Sequence, residues 1–301
     1  MDNQEKIILN EIVNTVISNL ENTTGLGLIN GKMGVAIFLY EYAKYSNIEY
    51  YSSVADKLID DIYNIVAENM QNNIYDGICG IGIGLCYIIG NNYVKGNIDN
   101  VVENIEKKIF KDNELSLMED LIDGGRIFSQ GIYCMLRKNF SKNDLGFDKI
   151  IFSDVDIFSH LLDGFQFIEF SYINSILYCL SEINTENANI YIDKVIQNTK
   201  SNIDKFRISK YDREFFLSNL LRLDEKNRLL QADIKCESNS ISDDIRYLWM
   251  NLLTEKQFIL FDVKNIKSMV DDLLYNFSYE VKNINNILSI IGLCLMKRLL
   301  Y

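Results

Sequence analysis

Two stretches of this chain repeat each other without a gap. Gly31-Lys32-Met33-Gly34 opens the run Val35-Ala36-Ile37-Phe38-Leu39-Tyr40, and Gly77-Ile78-Cys79-Gly80 opens Ile81-Gly82-Ile83-Gly84-Leu85-Cys86, 46 residues further on. A third block, Gly125 to Cys134, and a weaker fourth, Phe170 to Cys179, follow at a similar interval, and Asn285 to Cys294 restores the phase late in the chain. A period of about 45 residues is one helix pair with its connections, the range of helical repeat arrays. In this register Tyr40, Cys86, Cys134, Cys179 and Cys294 share one position. The GxxG motif erodes along the way: it is complete in the first two blocks, reduced to Gly125 in the third, and absent from the fourth and the last.

Apolar periodicity divides the helices into two kinds. Ile8, Ile12, Val16 and Leu20; Val54, Leu58, Ile62 and Ile65; Ile98, Val101, Ile105 and Ile109; and Ile266, Val270, Leu273, Phe277 and Val281 each mark one buried stripe. Val35 to Tyr40, Ile81 to Ile89 and Ile287 to Met296 are apolar on nearly every side and must be covered all round. Segments around Phe215 to Leu221 and Ile245 to Leu253 supply further inner helices, while Lys200 to Ser240 is polar and weakly periodic. One-faced helices alternating with all-round apolar ones predict two concentric helical layers. The expected architecture is therefore all-α, six or seven helix pairs in two layers, apolar inside and amphipathic outside, forming one domain over residues 1–301.

Composition supports this and closes other routes. The chain has no proline and only 16 glycines, so the punctuation of β-rich sandwiches is missing. Hydrophobic residues make up 48% of it, enough for a sizeable core. Thirty basic against forty-two acidic residues give a net charge of −12, which repels a phosphate backbone and argues against nucleic acid as a partner. The longest apolar runs, Ile78 to Gly90 and Ile287 to Met296, fall short of the roughly 18 residues of a membrane span. Met1-Asp2-Asn3-Gln4-Glu5 has no basic region of a secretory signal, so a cytoplasmic location is expected. The six cysteines are then reduced thiols, and Cys86, Cys134, Cys179 and Cys294 read as small core side chains. Cys79, at a helix start, and Cys236 have no identifiable partner base.

The glycines have a physical reason of their own. Without a Cβ, Gly31, Gly34, Gly77 and Gly80 allow a tight turn and a close approach of each inner-helix start to its neighbour. Asn30 and Asp76 directly precede Gly31 and Gly77, where a side-chain oxygen is expected to cap the helix. Several helix starts arranged around one axis would also make a partly positive concavity suited to an acidic ligand.

Leu28-Ile29-Asn30-Gly31-Lys32-Met33-Gly34-Val35-Ala36 and Tyr75-Asp76-Gly77-Ile78-Cys79-Gly80-Ile81-Gly82 resemble the Gly-rich repeat motifs of the lanthionine synthetase C-like family. The resemblance is carried by the first three blocks. It implies an α/α toroid of seven inner and seven outer helices, and a role in maturing ribosomally made peptides of the lanthipeptide type. The partners it implies are a precursor peptide and another modification enzyme. Where the family is catalytic, zinc held by two cysteines and a histidine turns a peptide cysteine into its thiolate. That set is missing here: after Tyr211 there are only Cys236 and Cys294, and the sole histidine, His160, lies elsewhere. The chain therefore reads as a zinc-less, divergent relative that needs no cofactor. Asp76 follows Tyr75 as the cyclases' acid-base Asp follows a Tyr, but several residues out of register, and His160 is the other candidate general base. Two further readings stand beside this one. One is a non-catalytic helical scaffold. The other is a carbohydrate-active toroid using two carboxylates such as Asp154, Asp156, Asp163 and Glu169; Trp249 and the tyrosines read most simply as core or rim residues, although aromatics lining a toroid mouth would also suit peptide or sugar binding.

Overall fold

The computed structural model describes residues 3–66, 70–110, 126–140, 146–153, 168–183, 185–203, 206–223, 241–254, 270–271, 273–274 and 284–297. These residues are helical almost throughout, as the periodicity predicts. The first five helices are α1 (Asn3–Ser18), α2 (Lys32–Ser46), α3 (Glu49–Ile65), α4 (Ile78–Gly90) and α5 (Ile98–Ile109). Then come α6 (Arg126–Lys138), α7 (Phe170–Ile183), α8 (Glu186–Ser201), α9 (Lys210–Leu223), α10 (Ile241–Thr254) and α11 (Ile284–Lys297). Extended pairing is found in a short parallel pair, β1 (Ile168–Glu169) and β2 (Phe206–Arg207), with Ile168 opposite Phe206, and in a single parallel bridge between Gly25 and Gly31. Among the described residues no helix is long and apolar enough to cross a membrane.

Burial follows the two sequence patterns. α3 buries only Ala55, Leu58 and Ile62, a single i, i+3, i+7 stripe. α2 is buried at every position from Met33 to Tyr42, and α11 at every position from Asn285 to Leu295. α4 is buried over Ile78–Ile89 except at Leu85. α2 stops where Asn47 takes a left-handed conformation (φ 57°) and donates its N–H to the Ala43 carbonyl, a common helix ending.

The chain divides into two compact units, one made of Met1–Ile109 with Leu248–Tyr301, the other of Phe110–Tyr247. In the first, α2 lies between α11 and α4 and is backed by α3, while α1 backs α11 and α5 backs α4. The wholly buried helices are thus neighbours of one another, and each also packs against an amphipathic helix. Close packing marks the contacts: a Cβ at Gly84 of α4 would overlap Met33 of α2, and one at Gly292 of α11 would overlap the Phe38 ring. In the second unit α7 packs against α6, α8 and α9. Thr185 caps α8 by accepting the Ala188 N–H at 3.2 Å.

Cys86, Cys134, Cys179 and Cys294 are buried, as expected of core thiols, and Cys79 is buried too, with its Sγ donating to Asn72 Oδ1 at 2.8 Å. Trp249 is buried against the start of α2, the core one of the two places expected for it. The stripe proposed over Ile266 to Val281 is described only at Val270, Asp271, Leu273 and Leu274, of which Val270 and Leu273 are buried. Gly125 and Cys236 lie outside the described residues.

Candidate functional site

The repeat motif builds the start of α2 and of α4 in the same way. Lys32 N donates to Gly25 O at 2.9 Å, and 46 residues on Ile78 N donates to Gln71 O at 2.9 Å. Met33 N reaches Leu26 O and Gly80 N reaches Asn73 O. The two turns also touch each other, with Leu28 N donating to Ile74 O (3.3 Å) and Asn30 N to Tyr75 O (3.2 Å). Glycine is required by space: a Cβ at Gly34 would overlap Leu28 O, one at Gly77 Gln71 O, and one at Gly80 Ile74 O. At Gly31 it would overlap the backbone of Gly27 and Leu26.

This geometry corrects two expectations. Asn30 and Asp76 do not cap the helices; the N-cap positions are Gly31 and Gly77, without a side-chain cap. Backbone carbonyls seven residues back do that work, and the Asx turn at Asp76 is made by Asn73, whose Oδ1 accepts the N–H groups of Asp76 and Gly77. Because the N–H groups of Lys32, Met33, Ile78 and Gly80 are already taken by the chain, these helix starts do not offer them to an acidic ligand. Asp76 is exposed, and its Oδ1 lies against Gly25; partial desolvation there raises its pKa above the usual carboxylate value. The other acid-base candidate, His160, lies outside the described residues, as do Asp154, Asp156 and Asp163. Glu169 is described only as backbone in β1.

Polar chemistry collects at the opposite ends of the same helices. Glu41 of α2 is only 6% exposed. Its Oε1 accepts the Tyr87 hydroxyl of α4 at 2.6 Å and pairs with Lys297 Nζ of α11 at 2.9 Å. Glu41 and Tyr87 occupy equivalent places in successive repeats. Next to them Tyr40 and Tyr93 stack, with ring centroids 5.4 Å apart and planes 19° apart. Tyr40 donates its hydroxyl to Asp56 Oδ1 at 2.6 Å, and burial followed by that hydrogen bond raises its pKa. Burial and the neighbouring Glu41 carboxylate likewise keep the Tyr93 phenol protonated. Lys44 Nζ stands over the Tyr93 ring, 5.6 Å from its centroid. A hollow of about 510 Å³ opens here, between the end of α2, the start of α3 and the Asn91–Tyr93 turn.

Sequence reasoning missed this group, although one signal was available: Glu41 is the only charged residue in the stretch Met33–Tyr42. A charge inside an all-round apolar helix needs a partner.

The second unit has its own buried polar cluster. Asp212 Oδ2 accepts the Ser209 N–H (3.1 Å), the Ser209 hydroxyl accepts the Asp212 N–H (3.0 Å), and Tyr247 donates its hydroxyl to Asp212 Oδ1. Asn174 Nδ2 donates to Asp212 O (2.9 Å), and Asn219 Nδ2 to Asn174 O (3.1 Å). The reciprocal Ser209–Asp212 bonds form a capping box for α9, a structural role.

A zinc ion of the kind the family resemblance implies does not fit the described residues. Among them no three His, Cys, Asp or Glu side chains are grouped for a metal. Cys294 is fully buried in α11, where burial pushes its thiol far up and disfavours the thiolate a metal needs. Comparison with known proteins returns no match: no family model, no curated protein and no solved structure corresponds to this chain.

Proposed function

We propose that this chain is a divergent, zinc-less α/α toroid, similar to the lanthionine synthetase C-like proteins, that binds a peptide during the maturation of a ribosomally made precursor. One observation carries the reading. The last described helix, α11, lies beside the first wholly buried one, α2, so that the row α11–α2–α4 runs across the two ends of the chain with an amphipathic helix behind each member. A double ring closed by its last helix requires this neighbourhood. The motif turns support the same reading, since two successive repeats make equivalent hydrogen bonds and touch through them. In the proposed ring the peptide is held by polar and aromatic groups at the C-terminal ends of the inner helices, without a metal.

The test is calorimetric titration of metal-free protein, first with zinc and then with peptides that carry a cysteine and a dehydrated serine or threonine. Saturable peptide binding without tight uptake of one equivalent of zinc is the expected result. Stoichiometric tight zinc binding overturns the zinc-less part, and failure of every peptide to bind overturns the function.

A further inference from the structure

The hollow at the end of α2 is lined by aromatic, amide and charged side chains. Tyr93 forms its plate: the residue is half-buried, with its hydroxyl oxygen enclosed and its ring backed by the buried Tyr40 ring, which the bond to Asp56 holds in place. Two helices, α2 and α4, end here, so their last carbonyls contribute partial negative charge. Asn47 and Asn92, both in the left-handed conformation with φ of 57° and 61°, reverse the chain at these two ends and bring amide side chains to the rim. Glu49 adds a carboxylate, in a molecule whose net charge is −12. On the positive side are the N-terminal end of α3 and, among the residues lining the hollow, one cation, Lys44, whose ammonium lies over the Tyr93 ring, where an aromatic face attracts positive charge.

We propose that the hollow is a seat for a cationic side chain of the bound peptide, a lysine ammonium or an arginine guanidinium, and that Lys44 fills the seat when no peptide is present. The assignment rests on the peptide-binding function proposed above. The incoming cation takes the place of the Lys44 ammonium on the Tyr93 ring, within reach of the helix-end carbonyls and Glu49. Lys44 is exposed and swings into solvent when displaced.

Removing Lys44 therefore improves binding, which an ordinary contact residue would not do. In the full chain, a short Gly/Ser peptide bearing lysines, its arginine counterpart and its glutamate counterpart are titrated calorimetrically. The lysine and arginine peptides bind and the glutamate peptide does not. Lys44→Ala tightens the lysine peptide by roughly threefold or more, Tyr93→Leu weakens it by on the order of threefold to tenfold, and Tyr93→Phe, which keeps the ring, leaves it unchanged. If the glutamate peptide binds as well as the lysine peptide, or if Lys44→Ala weakens binding or leaves it unchanged, the cation seat is overturned and peptide binding stands. If none of the three peptides nor the dehydrated ones bind, both are overturned. Lys44 is exposed and its change leaves the core intact, so the Lys44→Ala and Tyr93→Phe results decide the matter even if Tyr93→Leu fails to fold.

Discussion

A methyl group at Gly80 would land on the Ile74 carbonyl and 2.7 Å from the Leu28 amide nitrogen. Both are backbone atoms of the touching motif turns, so nothing flexible is there to yield. Gly80→Ala is expected to cost about 2 kcal/mol or more in urea unfolding. Gly96→Ala meets only side-chain carbons of Ile89 and Val101 at 3.6 Å and is expected to change stability by less than about 0.5 kcal/mol. Equal losses at the two positions would mean that the turn contact carries no energy. The need for glycine was legible in the sequence because a small residue is the only one a crowded turn accepts. The caps were misread for a related reason: Asn or Asp before Gly marks a turn and a cap alike. The acceptors in use, Gly25 O and Gln71 O, are main-chain groups that every residue carries, so no side chain announces them.

Among the elements, α11 is held to α2 and to the segment that follows α1. Asn285 Nδ2 donates to Asn19 O and Thr23 Oγ1, Asn286 Nδ2 donates to Gly31 O at 2.7 Å, Gly292 lies under Phe38, and Lys297 pairs with Glu41. Lys297→Met leaves the Glu41 carboxylate buried with hydroxyl partners only and is expected to cost on the order of 2 kcal/mol. Adding Glu41→Gln removes the stranded charge, so the double variant should be more stable than Lys297→Met alone. Thermal unfolding of the unaltered protein, the Lys297→Met and Glu41→Gln single variants and the double variant checks this, and additive losses would show that the pair is not coupled. The sequence marked α2, α4 and α11 as buried because apolar residues on every face admit no other placement. The Glu41–Tyr87–Lys297 group stayed hidden, since pairing across such distances in sequence depends on which helices end up as neighbours.

At the scale of the whole molecule, the first compact unit is assembled from both ends of the sequence and the second from its middle. A chain ended before Ile284 lacks α11 and uncovers a side of α2. Amide exchange should then show α2 losing protection while α7, in the other unit, keeps its own. Retained protection in α2 would mean that α11 is dispensable. Helix content and the apolar and amphipathic classes were readable from periodicity, because burial on one face or on all faces leaves a direct mark on residue choice. The short β1–β2 pair was not, being two residues a side with no alternation to detect.

That arrangement matters most while the polypeptide is still being made. Synthesis proceeds at roughly 5–20 residues per second, so α2 emerges from the ribosome on the order of ten seconds or more before α11 exists to cover it. Throughout that interval the oily flank around Phe38 lacks its final neighbour, and such uncovered apolar surface is where a nascent chain is most prone to aggregate.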